Sequence, residues 1–199
     1  MRVLAIDASR RRGVISRSVE TAARAAVKAG AEVEVIRLYD LDVRSCTGCM
    51  MCQVDASCKI EDDLPDLVGR IAEADGVIFG TPSYFRRADD ATAAILDRLA
   101  SYFADNGQLR LPGMSGTQTV RAGSIKRAVV ITACIMPEPF ATFFGYTTGP
   151  VRELRSALGA GGIRTIGSLA VTDTWRHPCV EVWERDKAES LGRVLAGKL

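Results

Sequence analysis

The chain has 199 residues, 47% hydrophobic and 25% charged, with a formal net charge of +2. That length suits one domain, residues 1–199, with a core that needs no staples. The near-neutral balance gives no electrostatic case for nucleic acid or a membrane surface.

The opening "MRVLAIDAS" lacks the features of a secretory leader. No apolar run approaches the ~20 residues that span a bilayer. The expected location is therefore cytoplasmic, where thiols stay reduced.

Residues 2–7, "RVLAID", form a short apolar run read as a buried strand. An Arg/Gly/Ser-rich turn leads into a helix that begins "SRSVETAARAAVKAG" and stops at Gly30. Residues 32–40 alternate as a strand and run into a cysteine-rich loop at 45–60. "DDLPDLVGRIAEADG" reads as a helix with acidic residues at its positive end. A strand follows at 76–85 and an amphipathic helix at 90–104.

Residues 105–124 read as a long irregular connection. The fourth strand is expected at 127–135, the next helix at 149–162, the fifth strand at 163–173 and a closing helix from Glu181. Strands alternating with helices imply right-handed crossovers and a parallel sheet covered on both faces. The fold class is therefore α/β: a doubly wound five-stranded sheet of flavodoxin-like order 2-1-3-4-5, with the cysteine loop after the second strand. In such sheets ligands bind beyond the carboxyl ends of the strands, near the reversal of order. Function is expected in the loops after strands one, three and four.

The first of these loops carries Ser9, Arg10, Arg11, Arg12, Ser16 and Ser18. It joins a strand to a helix N-terminus, a natural place for an anion. Hydroxyls of Ser9, Ser16 and Ser18 can donate to phosphate oxygens, and an arginine can pair with the charge. The alternative is a serine-capped helix with solvated arginines. The loop matches neither G-x-x-x-x-G-K-[ST] nor G-x-G-x-x-G, which disfavours ATP and a Rossmann-bound dinucleotide. The loop after strand three, Pro82-Ser83-Tyr84-Phe85, offers flat faces beside backbone donors and suits a planar heteroaromatic ring. Its alternative is a turn whose aromatics pack on the core.

Four of the six cysteines, Cys46, Cys49, Cys52 and Cys58, lie within one short loop. Three thiols at intervals of three converge readily on one compact centre, and Gly48 relieves crowding there. Structural zinc prefers two ligand pairs a dozen or more residues apart. An iron–sulfur cluster is placed ahead of zinc or an empty reduced site, and disulfides come last. The bacterial ferredoxin pattern differs in lending its last cysteine to a second cluster.

Together "DASRRRGVISRS", "ADGVIFGTPSYF" and "AAILDRL" resemble the NAD(P)H-dependent FMN reductase-like flavoproteins over residues 2–104. The resemblance implies that Ser9, Arg11 and Ser16 meet the FMN phosphate and that Thr81-Pro82-Ser83-Tyr84 lies along the isoalloxazine. Asp97-Arg98 also follows the family pattern. The spacing C-x2-C-x2-C-x5-C, followed by "KIEDD", resembles the iron–sulfur flavoprotein branch of that family. This implies a [4Fe–4S] cluster on the four cysteines, a ferredoxin-like electron donor, and a homodimer or homotetramer. The function so implied is electron transfer between a one-electron carrier and an acceptor.

The alternatives are an NAD(P)H-dependent FMN, quinone or azo reductase without an essential cluster, and a colourless zinc-binding interaction module. Arg10 stands where the family has proline, and "MPEPFATFFGYTTGP" departs from the family's Gly-rich loop. Cys134, Cys179 and the single histidine, His177, are read as structural, His177 because no acid partner is evident. Asp62-Asp63 is read as a helix start, Met50 and Met51 as packing, and Trp175 and Trp183 as candidates for a subunit contact.

Overall fold

A computed structural model describes residues 1–52, 58–99, 102–104, 108–109 and 126–197. The elements are β1 (Arg2–Asp7), α1 (Val14–Lys28), β2 (Glu32–Arg37), α2 (Leu64–Glu73), β3 (Gly76–Tyr84), β4 (Arg87–Ala88) and α3 (Asp90–Leu99). After them come β5 (Phe103–Ala104), β6 (Gln108–Leu109), β7 (Arg127–Ala133), the single-turn α4 (Phe140–Phe143), α5 (Gly149–Ala160), β8 (Arg164–Val171) and α6 (Val182–Gly197).

The main sheet runs β2-β1-β3-β7-β8, all parallel, which is the expected 2-1-3-4-5 order when only these five strands are counted. The two faces explain the continuous apolar runs. Leu4 and Ile6 of β1, with Val77 and Phe79 of β3 and Val130 of β7, pack under α2, α3 and α5. Their neighbours Val3, Ala5, Ile78, Val129 and Ile131 pack under α1 and α6. A strand buried on both sides keeps no polar alternation. β2 lies at the sheet edge and leaves Glu32, Glu34 and Val35 exposed.

Two close approaches set the geometry near the loops. A Cβ on Gly80 would lie 2.4 Å from Val19 Cγ2, so α1 seats directly on β3. A Cβ on Gly149 would lie 1.8 Å from the Arg86 carbonyl oxygen, which brings the start of α5 onto the β3–β4 turn. α1 ends as its sequence promised, with Gly30 in the left-handed region at φ +92°.

Two elements stop well short of expectation. The strand expected over 32–40 stops at Arg37 and tightens into a 3₁₀ turn, Leu38–Asp40, which buries Leu38. The helix expected over 90–104 stops at Leu99: the Tyr102 N–H donates to the Leu99 carbonyl at 2.9 Å and Phe103–Ala104 pair antiparallel with Gln108–Leu109. Tyr102, 3% exposed, is drawn into the core by that turn. Apart from Gln108–Leu109, the connection expected over 105–124 lies outside the described residues. Among the described residues no helix is long and apolar enough to cross a membrane.

Candidate functional site

The carboxyl ends of β1, β3 and β7 open on one cleft of about 790 Å³. Ser9, Arg10 and Arg11 line one side of it, and Pro82, Ser83, Tyr84 and Phe85 another. Phe85 and Arg86 both adopt left-handed backbone, φ 48° and 69°, which is uncommon for side chains of that bulk. That strained two-residue turn leaves Tyr84 and Phe85 as exposed aromatic faces at the rim. The hairpin is well tied: the Ser83 hydroxyl donates to the Tyr146 carbonyl at 2.7 Å, and the Ala88 N–H donates to Glu153 Oε2 at 2.9 Å. Arg87 Nε donates to Glu153 Oε1 at 3.1 Å.

The β1–α1 loop is organised differently from its sequence reading. α1 starts at Val14, and Gly13, not a serine, occupies the cap position. Ser9 and Arg11 line the large cleft, as does Arg10, whose guanidinium carbon also lies 5.4 Å from the Tyr39 ring centroid. The Ser16 hydroxyl instead donates to Asp7 Oδ2 at 2.6 Å. Ser16 lines a separate hollow with Arg12 and Arg37. Ser18 is wholly buried, and its hydroxyl has no hydrogen-bond partner among the described residues. Of the three serines singled out, only Ser9 thus lies on the large cleft.

The four cysteines are free thiols; Cys46 and Cys49 are exposed, Cys52 and Cys58 half-buried. Among the described residues no three His, Cys, Asp or Glu side chains are gathered in the manner of a metal site. The neck of the loop, by contrast, is closely bonded. The Asp42 N–H donates to Asp63 Oδ2 at 2.7 Å and the Asp63 N–H donates to the Asp42 carbonyl at 2.9 Å. The Arg44 N–H donates to Asp62 Oδ2 at 2.9 Å.

Beneath them sits the Arg98–Asp62 pair, with side chains 1% and 0% exposed. Arg98 Nη1 donates to Asp62 and, at 3.0 Å, to the Arg44 carbonyl, while Nη2 reaches Asp62 Oδ1 at 3.0 Å and the Ile60 carbonyl at 3.5 Å. One guanidinium therefore grips both arms of the cysteine loop. Burial alone would raise the Asp62 carboxyl, but hydrogen bonds from Arg98 and from the Arg44 and Leu64 N–H groups hold it below the usual carboxylate range. Asp62 is thus more than a helix start.

Two features suit the loop to thiolate chemistry. The Gly48 N–H donates to Cys46 Sγ at 3.4 Å, with Gly48 at φ 68°. A backbone hydrogen bond from Met51, then the Thr47 hydroxyl, lowers the Cys49 thiol below its ordinary range. Four thiols, two of them with backbone N–H donors, on a braced neck are a donor set that fits a thiolate-bound centre.

The other residues can be placed as well. His177 does have acid neighbours: Nε2 lies 4.0 Å from Asp173 and Nδ1 lies 3.8 Å from Glu181. The sequence hid them because both lie at helical spacing on a turn with no periodic pattern. Trp175 and Trp183 are exposed, while Cys134 is buried and lines the cleft, its thiol pushed up by burial. Sequence reasoning missed Met136 and Tyr146 on the cleft wall, because the segment after β7 carries no family signature. It also missed Asp7 and the role of Arg98. A buried charge at the end of an apolar strand, and an arginine inside an apolar helix face, are the signals that would have found them.

A family profile described as NADPH-dependent FMN reductase matches residues 1–126. Over 99 residues the chain is 35% identical to an iron–sulfur flavoprotein of Methanocaldococcus jannaschii, taking in 49% of this chain and 51% of that protein. Over 123 residues it is 31% identical to an iron–sulfur flavoprotein of Archaeoglobus fulgidus, taking in 62% of this chain and 60% of that one. The chain spans about half the length of the first relative and somewhat more of the second. The solved structure of a flavone reductase matches with a TM-score of 0.74 at 19% identity, over 99% of this chain and 62% of that one. At that identity the likeness speaks for the fold alone.

Proposed function

Because this chain belongs to the NADPH-dependent FMN reductase family, we propose that it is a redox flavoprotein carrying both FMN and an iron–sulfur cluster of [4Fe–4S] type. Cys46, Cys49, Cys52 and Cys58 would hold the cluster. Arg11 and Arg10 would meet the phosphate beside Ser9 and the α1 N-terminus, and Pro82, Ser83, Tyr84 and Phe85 would lie along the ring. FMN exchanges one or two electrons and a [4Fe–4S] centre one, so the pair joins one-electron to two-electron chemistry.

The chain's own residues bind and orient. Guanidiniums offer charge-assisted donors to an anion. The Tyr146 and Glu153 contacts fix the hairpin against the cleft. Arg98 fixes both arms of the cysteine loop. The observation that carries this reading is the braced cysteine loop on the same chain as an aromatic-rimmed, arginine-flanked cleft, with relatives whose names join iron–sulfur and flavin. The electron donor would be a ferredoxin-like carrier, and the exposed Phe85 and Phe143 would be covered in a homodimer or homotetramer.

A second reading is a reductase drawing hydride from NAD(P)H without an essential cluster, favoured by the description of the matching family. Anaerobic mixing separates the two. Bleaching of the visible spectrum by a reduced ferredoxin, and not by NADH or NADPH, supports the first. Rapid bleaching by a nicotinamide in a Cys52→Ser, Cys58→Ser double variant supports the second.

A further inference from the structure

We propose that Asp7 withdraws the Ser9 and Ser16 hydroxyls from a 5′-phosphate, so that the cleft prefers FMN over riboflavin less strongly than its loop of serines would otherwise allow; this rests on the flavin reading above. Asp7 ends β1 beneath the loop and is 3% exposed. Its Oδ1 accepts the Ser9 N–H at 2.9 Å and the Ser9 hydroxyl at 2.5 Å, and its Oδ2 accepts the Ser16 hydroxyl at 2.6 Å. The two hydroxyl oxygens are 2.9 Å apart. Arg37 Nε, 3.8 Å from Oδ2, is the adjacent cation.

A hydroxyl carries one proton, and an ionised carboxylate carries none. The three short contacts among Asp7, Ser9 and Ser16 therefore consume both hydroxyl protons, whichever way the Ser9–Ser16 contact is oriented. Toward any outside atom the two serines offer only lone pairs. A phosphate oxygen is itself an acceptor, so neither hydroxyl can donate to it without giving up a contact within this group.

The positions agree with this. Ser16 lines the small hollow beside Asp7, Arg12 and Arg37 instead of the large cleft. What remains for a phosphate on the cleft side is Arg10, Arg11 and the first N–H groups of α1. A buried carboxylate beneath them opposes the same anion. Asp7 is thus a specificity-determining residue: it holds the loop together with the donors that a phosphate would have used.

Asn at this position tests the idea, because its shape is retained. Oδ1 keeps the Ser9 N–H, while the amide nitrogen, in place of Oδ2, donates to the Ser16 oxygen; the Ser16 hydroxyl then donates to the Ser9 oxygen 2.9 Å away, and the Ser9 proton is released toward the cleft. The experiment is equilibrium dialysis of the full-length protein against equimolar FMN and riboflavin, with the bound flavins separated and quantified. The bound FMN-to-riboflavin ratio is a property of the folded fraction alone, so partial unfolding does not disturb it.

The wild-type ratio is the reference for both variants. Asp7→Asn should raise it about tenfold, as expected for one regained hydrogen bond to a charged group. Ser16→Ala should leave it unchanged, and this arm decides even if Asp7→Asn does not fold. An unchanged ratio in Asp7→Asn, or a tenfold fall in Ser16→Ala, would overturn the proposal while leaving the flavin reading intact. Retention of neither flavin by any of the proteins would overturn the flavin reading and this inference with it.

Discussion

The large cleft and the cysteine loop are both approached from the carboxyl edge of the sheet, yet they are held in opposite ways. The cleft is made by strand ends: its walls follow from where β1, β3 and β7 stop, and many small contacts share the work of fixing them. The cysteine loop has no strand under it. Its neck is held by the paired Asp42 and Asp63 and, beneath them, by one buried guanidinium and one buried carboxylate. A site built from strand ends spreads its support over many contacts, whereas the loop concentrates its support in a few bonds around one buried ion pair.

The sharpest break in that comparison is Arg98→Met, which leaves Asp62 as an uncompensated buried charge. Removing one partner of a buried pair costs about 3–5 kcal/mol. Urea unfolding should register that loss, and iron retained per chain should fall while flavin retained per folded chain does not. Asp62→Asn should give the same pattern from the other side.

Gly149→Ala attacks the cleft instead. Its Cβ would meet the Arg86 carbonyl oxygen at 1.8 Å, and overpacking of this kind costs about 1–3 kcal/mol. Flavin retention should fall with the displaced hairpin and iron retention should not.

Lys126 is a control remote from both, since it lies before β7 at the opposite edge of the sheet. Its amine donates to the Ile71 and Ala72 carbonyls, and burial pushes it down to about 8 from an ordinary 10.5. Between those two values the unfolded chain binds more protons than the folded one, so stability rises with pH across that window. The gain, on the order of 1 kcal/mol, should vanish in Lys126→Met, read as the urea midpoint at the two ends of the window.

The smallest stability effect belongs to Phe85→Ala, within ~0.5 kcal/mol because the ring is exposed. That variant should nonetheless weaken flavin retention, which isothermal titration would measure.

The sheet was legible because its evidence is local. "RVLAID", "GVIFG" and "RAVVITA" are continuous apolar runs bounded by turn residues, and a doubly covered parallel sheet requires such runs. The cysteine spacing was legible for the same reason. The brace was not: Asp62 and Arg98 stand 36 residues apart, and nothing near either names the other. Nor could spacing reveal that Asp7 claims the Ser9 and Ser16 hydroxyls, since the loop reads equally well as a phosphate cradle until the carboxylate is placed beneath it. α3 stopped short of its expected end because a core position for Tyr102 outweighed the helical pattern.

The most direct test of two redox centres on one chain is a single anaerobic preparation measured for its absorption spectrum, FMN, iron, acid-labile sulfide and zinc. Flavin bands on a broad iron–sulfur absorbance, with iron and sulfide each near four per chain as a [4Fe–4S] centre on Cys46, Cys49, Cys52 and Cys58 requires, is the expected result. A colourless sample containing zinc, or flavin with neither iron nor sulfide, would contradict it.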